Sequence, residues 1–308
     1  MTVPTIGFLG TGRMGGAFAS VMLKAGYDVR VWNRTQSKTE PLRAAGATVV
    51  SEAAELAGAP VVISSVMADA DLVEVIGGSA GLFSRPGTSP GLLIDLSTVS
   101  TTASSVVRAL CAEHGTEFLA APVSGNHEAV LAGRASFAVS GPREAFDRAA
   151  EIFGALGRGA SYVGEGETAR IVKLAHNLFT AAMFEALVEV VVLAEKAGLP
   201  RARFLEFMNS SAVGSTFTRY KAPTLANLDY EPRFTTAGLL KDVDLGLAEA
   251  AARGVPMTLV SAMRPLLQSA IGHGWAGDDF NRLLDLAAAG AGLELVSEDV
   301  EVDNGLAG

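Results

Sequence analysis

Three glycines, Gly10, Gly12 and Gly15, stand in the spacing G-x-G-x-x-G within TIGFLGTGRMGGAF, directly after a strand-like run and directly before a helix-like one. In that context Gly10 makes a tight turn, Gly12 lets the backbone approach a pyrophosphate, and Gly15 permits close helix packing. The helix that follows offers its positive N-terminus to phosphates. The loop residues Gly10, Thr11, Gly12, Arg13, Met14 and Gly15 are therefore candidate ligands of a dinucleotide. After the next strand-like run come Asn33, Arg34 and Thr35, where a site that prefers NAD usually carries an Asp or Glu for the ribose hydroxyls. No carboxylate stands there to repel a 2'-phosphate. Arg34 can pair with that phosphate while Asn33 and Thr35 donate further hydrogen bonds, so the stretch points to NADP(H) in preference to NAD(H).

A second place that could do chemistry is KLAHN, residues 173 to 177. Residues four apart share a helix face, so Lys173 and Asn177 project together from a run whose other members, Ile171, Val172, Leu174, Leu178 and Phe179, are apolar. A lysine in such a place must snorkel, pair or work. Glu185 and Glu189 are three and four turns further on, too far along the helix to pair with it.

The elements that must position these residues alternate along the first half. Strand-like runs are expected at Thr5–Leu9, Asp28–Trp32, Val61–Ser65, Leu92–Asp95, Glu117–Ala120, Ala135–Val139 and Ser161–Val163, with helix-like stretches between them. That alternation reads as βαβ units forming an α/β fold, a Rossmann-type, mainly parallel sheet domain. Beyond about residue 165 only helical patterns follow. One long helix is expected from Thr168 to Lys196, stopped by Gly198 and Pro200, and others near Arg201–Asn209, Thr236–Ala252, Thr258–His273 and Phe280–Ala289. The expected organisation is a dinucleotide-binding domain over residues 1–164 and an all-helical domain over 165–296 joined through the long helix. An acidic, flexible tail is expected over 297–308.

Composition narrows the field of functions. The chain has 308 residues, 24 Lys and Arg against 33 Asp and Glu, and a net charge of -9, so it lacks the clustered positive charge that neutralises nucleic-acid phosphates. Its one cysteine, Cys111, cannot form an internal disulfide, and His114, His127, His176 and His273 are too dispersed for a zinc site. No metal is expected. The N-terminus lacks a signal peptide's basic start and apolar core, and the longest apolar run, Ala186–Ala194, is broken by Glu189. These readings point to a cytoplasmic protein that engages neither membrane nor nucleic acid.

Further stretches extend the pattern: Ser97-Thr98 after a strand, the loop APVSGN at 121 to 126, and Lys241-Asp242 in the helical half. Taken in order, FLGTGRMG, NRT, DLST, APVSG, GETARIVKLAHN and LLKDVDLGL make the chain resemble the β-hydroxyacid dehydrogenases, the group of 3-hydroxyisobutyrate dehydrogenase, tartronate semialdehyde reductase and the glyoxylate/succinic semialdehyde reductases. The resemblance covers nearly the whole length. It implies hydride transfer between a nicotinamide and a small carboxylated aldehyde or hydroxy acid, with Lys173 as general acid and base. Asn177 would orient the lysine or the substrate, Ser124 and Gly125 would clamp the substrate carboxylate, and Thr98 would line the nicotinamide pocket. Met67 and Ala68 would flank the cofactor, and Lys241 would reach it from the helical half. The resemblance also implies a homodimer or homotetramer.

Two departures stand out. Where the family commonly has SGG, this chain has Ser124-Gly125-Asn126, followed by His127. Asn126 is expected at a left-handed turn position beside the carboxylate clamp; the alternative is that Asn126 or His127 points into the substrate pocket, which implies a bulkier substrate or one with another polar group. Ala68 stands where the family often has Pro or Ser. Two competing readings are imine reduction, by a related group that usually carries Asp or Tyr where this chain has Lys173, and a non-catalytic dinucleotide-binding scaffold.

Overall fold

The structure, a computed structural model, describes residues 4–305 and divides into two compact units, Met1–Leu174 and Ala175–Gly308.

The first unit is built on strands β1 (Thr5–Leu9), β2 (Asp28–Trp32), β3 (Thr48–Val49), β4 (Val61–Ser64), β5 (Leu92–Asp95), β6 (Glu117–Ala120), β7 (Val123–Ser124), β8 (Ser136–Ser140) and β9 (Gly159–Gly164). They form one sheet in the order β3-β2-β1-β4-β5-β6-β8-β7, with β9 beside β8. From β3 to β6 every pairing is parallel; β8 then runs antiparallel to β6 and β7 and parallel to β9. Between strands lie helices α1 (Arg13–Lys24), α2 (Glu40–Ala44), α3 (Asp69–Gly77), α4 (Thr101–Glu113), α5 (His127–Leu131), α6 (Arg143–Arg148) and α7 (Ala150–Leu156).

Alternation within the strands sends successive side chains to opposite faces. Ile6, Phe8, Val29, Val31, Ile63 and Ile94 meet Phe18 and Met22 of α1 on one face. Leu9, Val62 and Leu93 meet Leu72 and Ile76 of α3 and Val107 and Cys111 of α4 on the other. Each fully buried large apolar side chain contributes about 2 kcal/mol, against well under 1 kcal/mol for an exposed ion pair such as Arg143–Asp147. Apolar burial on both faces therefore holds the sheet. Because the chain winds outward from β1 in both directions, its order reverses between β1 and β4, and the carboxyl ends of those strands frame a crevice.

Helix α8 (Thr168–Lys196) gives its first turns to this unit and the rest to the second, followed there by α9 (Arg201–Ser210), α10 (Thr216–Ala226), α11 (Thr236–Ala252), α12 (Thr258–Ser261), α13 (Met263–Gly272) and α14 (Leu283–Gly290). Gly198 ends α8 at φ +84, with the Leu199 N–H reaching back to the Ala194 carbonyl in a Schellman arrangement. The helical core gathers Leu178, Phe184, Val188, Val191, Leu225, Leu239, Val243, Leu267 and Phe280. By length and composition α8 would pass as a membrane span, which the broken run Ala186–Ala194 does not suggest; half of its apolar window is buried in the protein.

Three local expectations are corrected. The stretch Thr258–His273 splits at Ala262 into α12 and α13, with Pro265 in the first turn of α13, where its missing N–H costs nothing. Helix α10 is present although its sequence TFTRYKAPTLA is rich in β-branched residues and contains Pro223; a capping box between Ser215 and Thr218 starts it. The acidic tail is tied down over its described part. Glu298 accepts the Arg201 and Ala202 N–H groups at the start of α9, the buried Arg201 donates to the Val296 carbonyl, and Asn227 and Val300 exchange two hydrogen bonds. Residues 306–308 lie outside the described residues.

Glu185 on α8 is half-buried, and burial, with the nearby Glu189 charge, pushes its carboxyl from 4.5 to about 7. The folded chain thus keeps a proton that the unfolded chain releases, and stability is lost as pH rises from about 4.5 to about 7. Glu185→Gln is expected to stabilise the fold by about 1–3 kcal/mol above pH 7 and to have no effect at pH 4.5. Melting curves at the two pH values check this, and an equal gain at both would contradict it.

Candidate active site

Gly10 stands at φ +94, and a Cβ there would lie 2.3 Å from the Ser65 carbonyl oxygen; one on Gly15 would lie 2.1 Å from the Gly10 oxygen. Both glycines are therefore demanded by the protein's own backbone. Gly12 differs, because a Cβ there would meet nothing within 4 Å. Its missing side chain leaves open space at the N-terminus of α1, which has no side-chain cap. That is the cradle a pyrophosphate needs, so the residues present fit a dinucleotide.

Asn33 ties the end of β2 to this loop: its Oδ1 accepts from the Thr11 N–H at 2.9 Å and its Nδ2 donates to the Thr35 carbonyl at 2.9 Å. The bond to Thr35 uses one of the two Nδ2 hydrogens, so the amide shapes the loop and keeps a second donor. Arg34 is 77% exposed and pairs with Asp71 at 2.9 Å. Such an exposed pair is worth well under 1 kcal/mol and is readily exchanged for a phosphate. Met67, which follows the end of β4, is 66% exposed, and Ala68 is the N-cap of α3.

The loop after β5 carries Ser97 and the half-buried Thr98. Ser97 Oγ accepts from the Val66 N–H at 2.9 Å and donates to Asp95 Oδ1 at 2.7 Å, while Ser100 donates to both Asp69 oxygens through its N–H (2.9 Å) and hydroxyl (2.6 Å). The loops bearing Met67 and Thr98 are thus bound to one another. Ser124 ends β7 opposite Ser136. Gly125 takes φ +125, and a Cβ there would crowd Ala129 at 3.1 Å, so the left-handed position expected of Asn126 belongs to Gly125 instead. Asn126, at φ −86, is the N-cap of α5, its Oδ1 accepting from the Ala129 N–H at 2.9 Å. The Nδ1 of the adjacent His127 is buried without a hydrogen-bond partner among the described residues.

Lys173 is half-buried on α8. One turn before it, the fully buried Arg170 donates to Asp95 Oδ2 at 2.5 Å, the Ser97 carbonyl at 2.6 Å and Ser104 Oγ at 3.0 Å. Within the helical unit the buried Asn177 donates through Nδ2 to Asp242 Oδ2 and accepts from His176 Nδ1 at 3.0 Å. Lys241 pairs with the other oxygen of Asp242 at 2.9 Å. Sequence reasoning missed Asp95 and Arg170, and named Asp242 beside Lys241 without giving it a role. Charged residues inside apolar runs were the available signal, although their partners are far away in the chain. Among the described residues no cluster of His, Cys, Asp and Glu could hold a metal ion.

The doubly wound sheet with this glycine cradle, followed by a helical unit, defines a class of NAD(P)-binding oxidoreductase. Residues 5–164 match the NAD binding domain of 6-phosphogluconate dehydrogenase, and residues 164–287 match the family described as NAD-binding of NADP-dependent 3-hydroxyisobutyrate dehydrogenase. The chain is 30% identical over 288 residues to glyoxylate/succinic semialdehyde reductase 2 of Arabidopsis thaliana, covering 92% of this chain and 80% of that protein. It is 31% identical over 290 residues to an NAD-dependent L-serine dehydrogenase of Pseudomonas aeruginosa, covering 90% and 95%. Among solved structures, the 3-hydroxyisobutyrate dehydrogenase of Mycobacterium tuberculosis with L-serine superposes with a TM-score of 0.79 at 27% identity, covering 92% of this chain and 99% of that one. The chain belongs to the β-hydroxyacid dehydrogenase family, whose members are NAD(P)-dependent oxidoreductases acting on a CH–OH group.

Proposed function

We propose that this protein is an NADPH-dependent reductase of a small carboxylated aldehyde, or the dehydrogenase of the corresponding hydroxy acid, with Lys173 as general acid and base. The observation that carries the reading is the placement of Lys173, half-buried one turn beyond an arginine that ties its helix to the loop bearing Thr98.

The nicotinamide, when bound, supplies or takes the hydride. Everything else falls to the chain. The Gly12 backbone and the first N–H groups of α1 hold the pyrophosphate, and Thr98 and Met67 flank the nicotinamide. The Lys173 ammonium donates a hydrogen bond to the carbonyl oxygen, stabilises the negative charge that grows there, and passes its proton to the alkoxide. In oxidation the neutral amine takes that proton back. Ser124 Oγ and the N–H groups around Gly125 hold the substrate carboxylate in a turn suited to anions. A fixed carboxylate aligns the carbonyl carbon for hydride attack, and this is where positioning acts on the rate.

The test is hydride transfer measured with NADPH and NADH on glyoxylate and succinic semialdehyde, and in reverse on L-serine and 3-hydroxyisobutyrate. Turnover of none of these, despite tight NADPH binding, would contradict the reading. The cofactor preference has its own variant. Arg34→Ala is expected to lower kcat/KM for NADPH about tenfold or more, worth about 1.4 kcal/mol, and to leave that for NADH nearly unchanged. An equal fall with both cofactors would remove Arg34 from the 2'-phosphate.

A further inference from the structure

Arg170 and Asp95 are both buried, at 1% and 0% exposure, and 75 residues apart in the chain. Every nitrogen of the Arg170 guanidinium is engaged: Nε with Ser104 Oγ, Nη1 with the Ser97 carbonyl and Nη2 with Asp95 Oδ2. The other carboxylate oxygen of Asp95 accepts from the hydroxyls of Ser64 and Ser97, each at 2.7 Å. Ser97 Oγ in turn receives the Val66 N–H. One ion pair therefore joins the ends of β4 and β5, the first turn of α4 and the first turn of α8.

Burying such a pair is expensive in desolvation, and well-packed apolar residues commonly stabilise a fold as well or better. What an arginine adds is direction, since its planar fork fixes several acceptors at once. Helix α8 is anchored nearby as well, where the Ala169 N–H donates to the buried Ser140 Oγ at 3.1 Å. Lys173 lies three residues on from Arg170 along a rigid rod, so a displacement at Arg170 is carried to the lysine. A misplacement of about 1 Å can cost on the order of a hundredfold in rate.

We propose that the Asp95–Arg170 pair is a positioning device for the reaction, holding the first turn of α8 against the loops that bear Met67 and Thr98 so that the Lys173 ammonium stays in register with them. This rests on the reading of Lys173 as acid and base. Neither Asp95 nor Arg170 is a catalytic residue; both act through Lys173.

The experiment uses the full chain with NADPH and its best aldehyde, at a temperature where circular dichroism shows each variant folded. Two variants carry it: Arg170→Lys, which keeps the charge and loses the fork, and the double variant Asp95→Leu/Arg170→Met, which replaces the pair by apolar groups. Lys221→Met serves as the control, because Lys221 forms a comparably buried pair with Asp279 in the helical unit. The expected result is a fall in kcat of about ten- to a hundredfold in both carrying variants, with the NADPH dissociation constant little changed and kcat of the control within about twofold of wild type. A folded double variant with wild-type kcat would overturn the proposal, as would a control that loses as much. Lys173→Ala in the same series separates the two failures. Turnover retained there sinks the acid/base reading and the positioning with it; turnover lost there but kept in the Arg170 variants overturns the positioning alone.

Discussion

Lys173→Ala is expected to lower kcat for aldehyde reduction by about a thousandfold or more. General acid catalysis contributes roughly 10²–10⁴ and electrostatic stabilisation of a developing oxyanion roughly 10²–10³, and in the proposed mechanism one ammonium would supply both. Because these interactions form mainly in the transition state, KM for the aldehyde should change much less than kcat. NADPH binding, measured by fluorescence, should stay within about threefold. Lys173→Arg should not restore the rate: a guanidinium keeps a positive charge but does not release its proton in the working pH range. Full recovery in that variant would reduce Lys173 to an electrostatic role and remove the proton transfer.

The largest expected loss of stability lies in the helical unit, at Asp279. Its carboxylate is fully buried and accepts from Lys221 Nζ at 2.7 Å and from the N–H groups of Asn281, Arg233 and Phe234 at 3.0–3.1 Å. Lys221, also buried, donates to Asn281 Oδ1 at 2.8 Å and lies 3.8 Å from the centre of the Phe280 ring. Burial lowers the lysine pKa, and the Asp279 charge opposes that. Asp279→Leu removes the acceptor of three backbone donors and leaves a buried cation uncompensated, at an expected cost of about 3–5 kcal/mol. The corresponding drop in melting temperature is roughly 10 °C. Lys221→Met should cost distinctly less, because the carboxylate keeps its three backbone N–H groups. Chemical denaturation of the two variants decides the order, and an equal or reversed order would show that the pair is not organised around the aspartate.

What could be read beforehand followed how local each requirement was. The glycine loop was legible because Gly10 and Gly15 are forced by backbone atoms close by, and Gly12 by open space at a helix start. The sheet was legible because strands buried on both faces need apolar runs, such as the first three residues of VVIS and of LLID. The long helix showed both its length and its glycine stop. Asn126 was misplaced although it precedes the helix-like HEAVL, a position where an N-cap competes with a turn; the positive φ fell instead on the glycine before it. Helix α10 has weak intrinsic propensity and is held by the Lys221–Asp279 pair, whose partner is 58 residues away. The tail looked loose because its acidic residues suggested solvent, whereas Glu298 caps α9. Arg170 was hidden for the same reason as Lys221: nothing near it in the chain identifies Asp95 as its partner.

The family and its chemistry rest on the fold, the cradle and the matched relatives, and the central claim concerns which double bond the Lys173 ammonium faces. A protonated amine suits a carbonyl oxygen and is poorly matched to a cationic iminium. The most direct measurement is NADPH oxidation by the wild-type protein, followed by absorbance on carboxylated aldehydes, their methyl esters and cyclic imines side by side. The account predicts turnover of the carboxylated aldehydes, a fall of about a hundredfold or more on esterification, as expected when a charged contact is lost, and negligible imine reduction. Imines turned over faster than the aldehydes would contradict it.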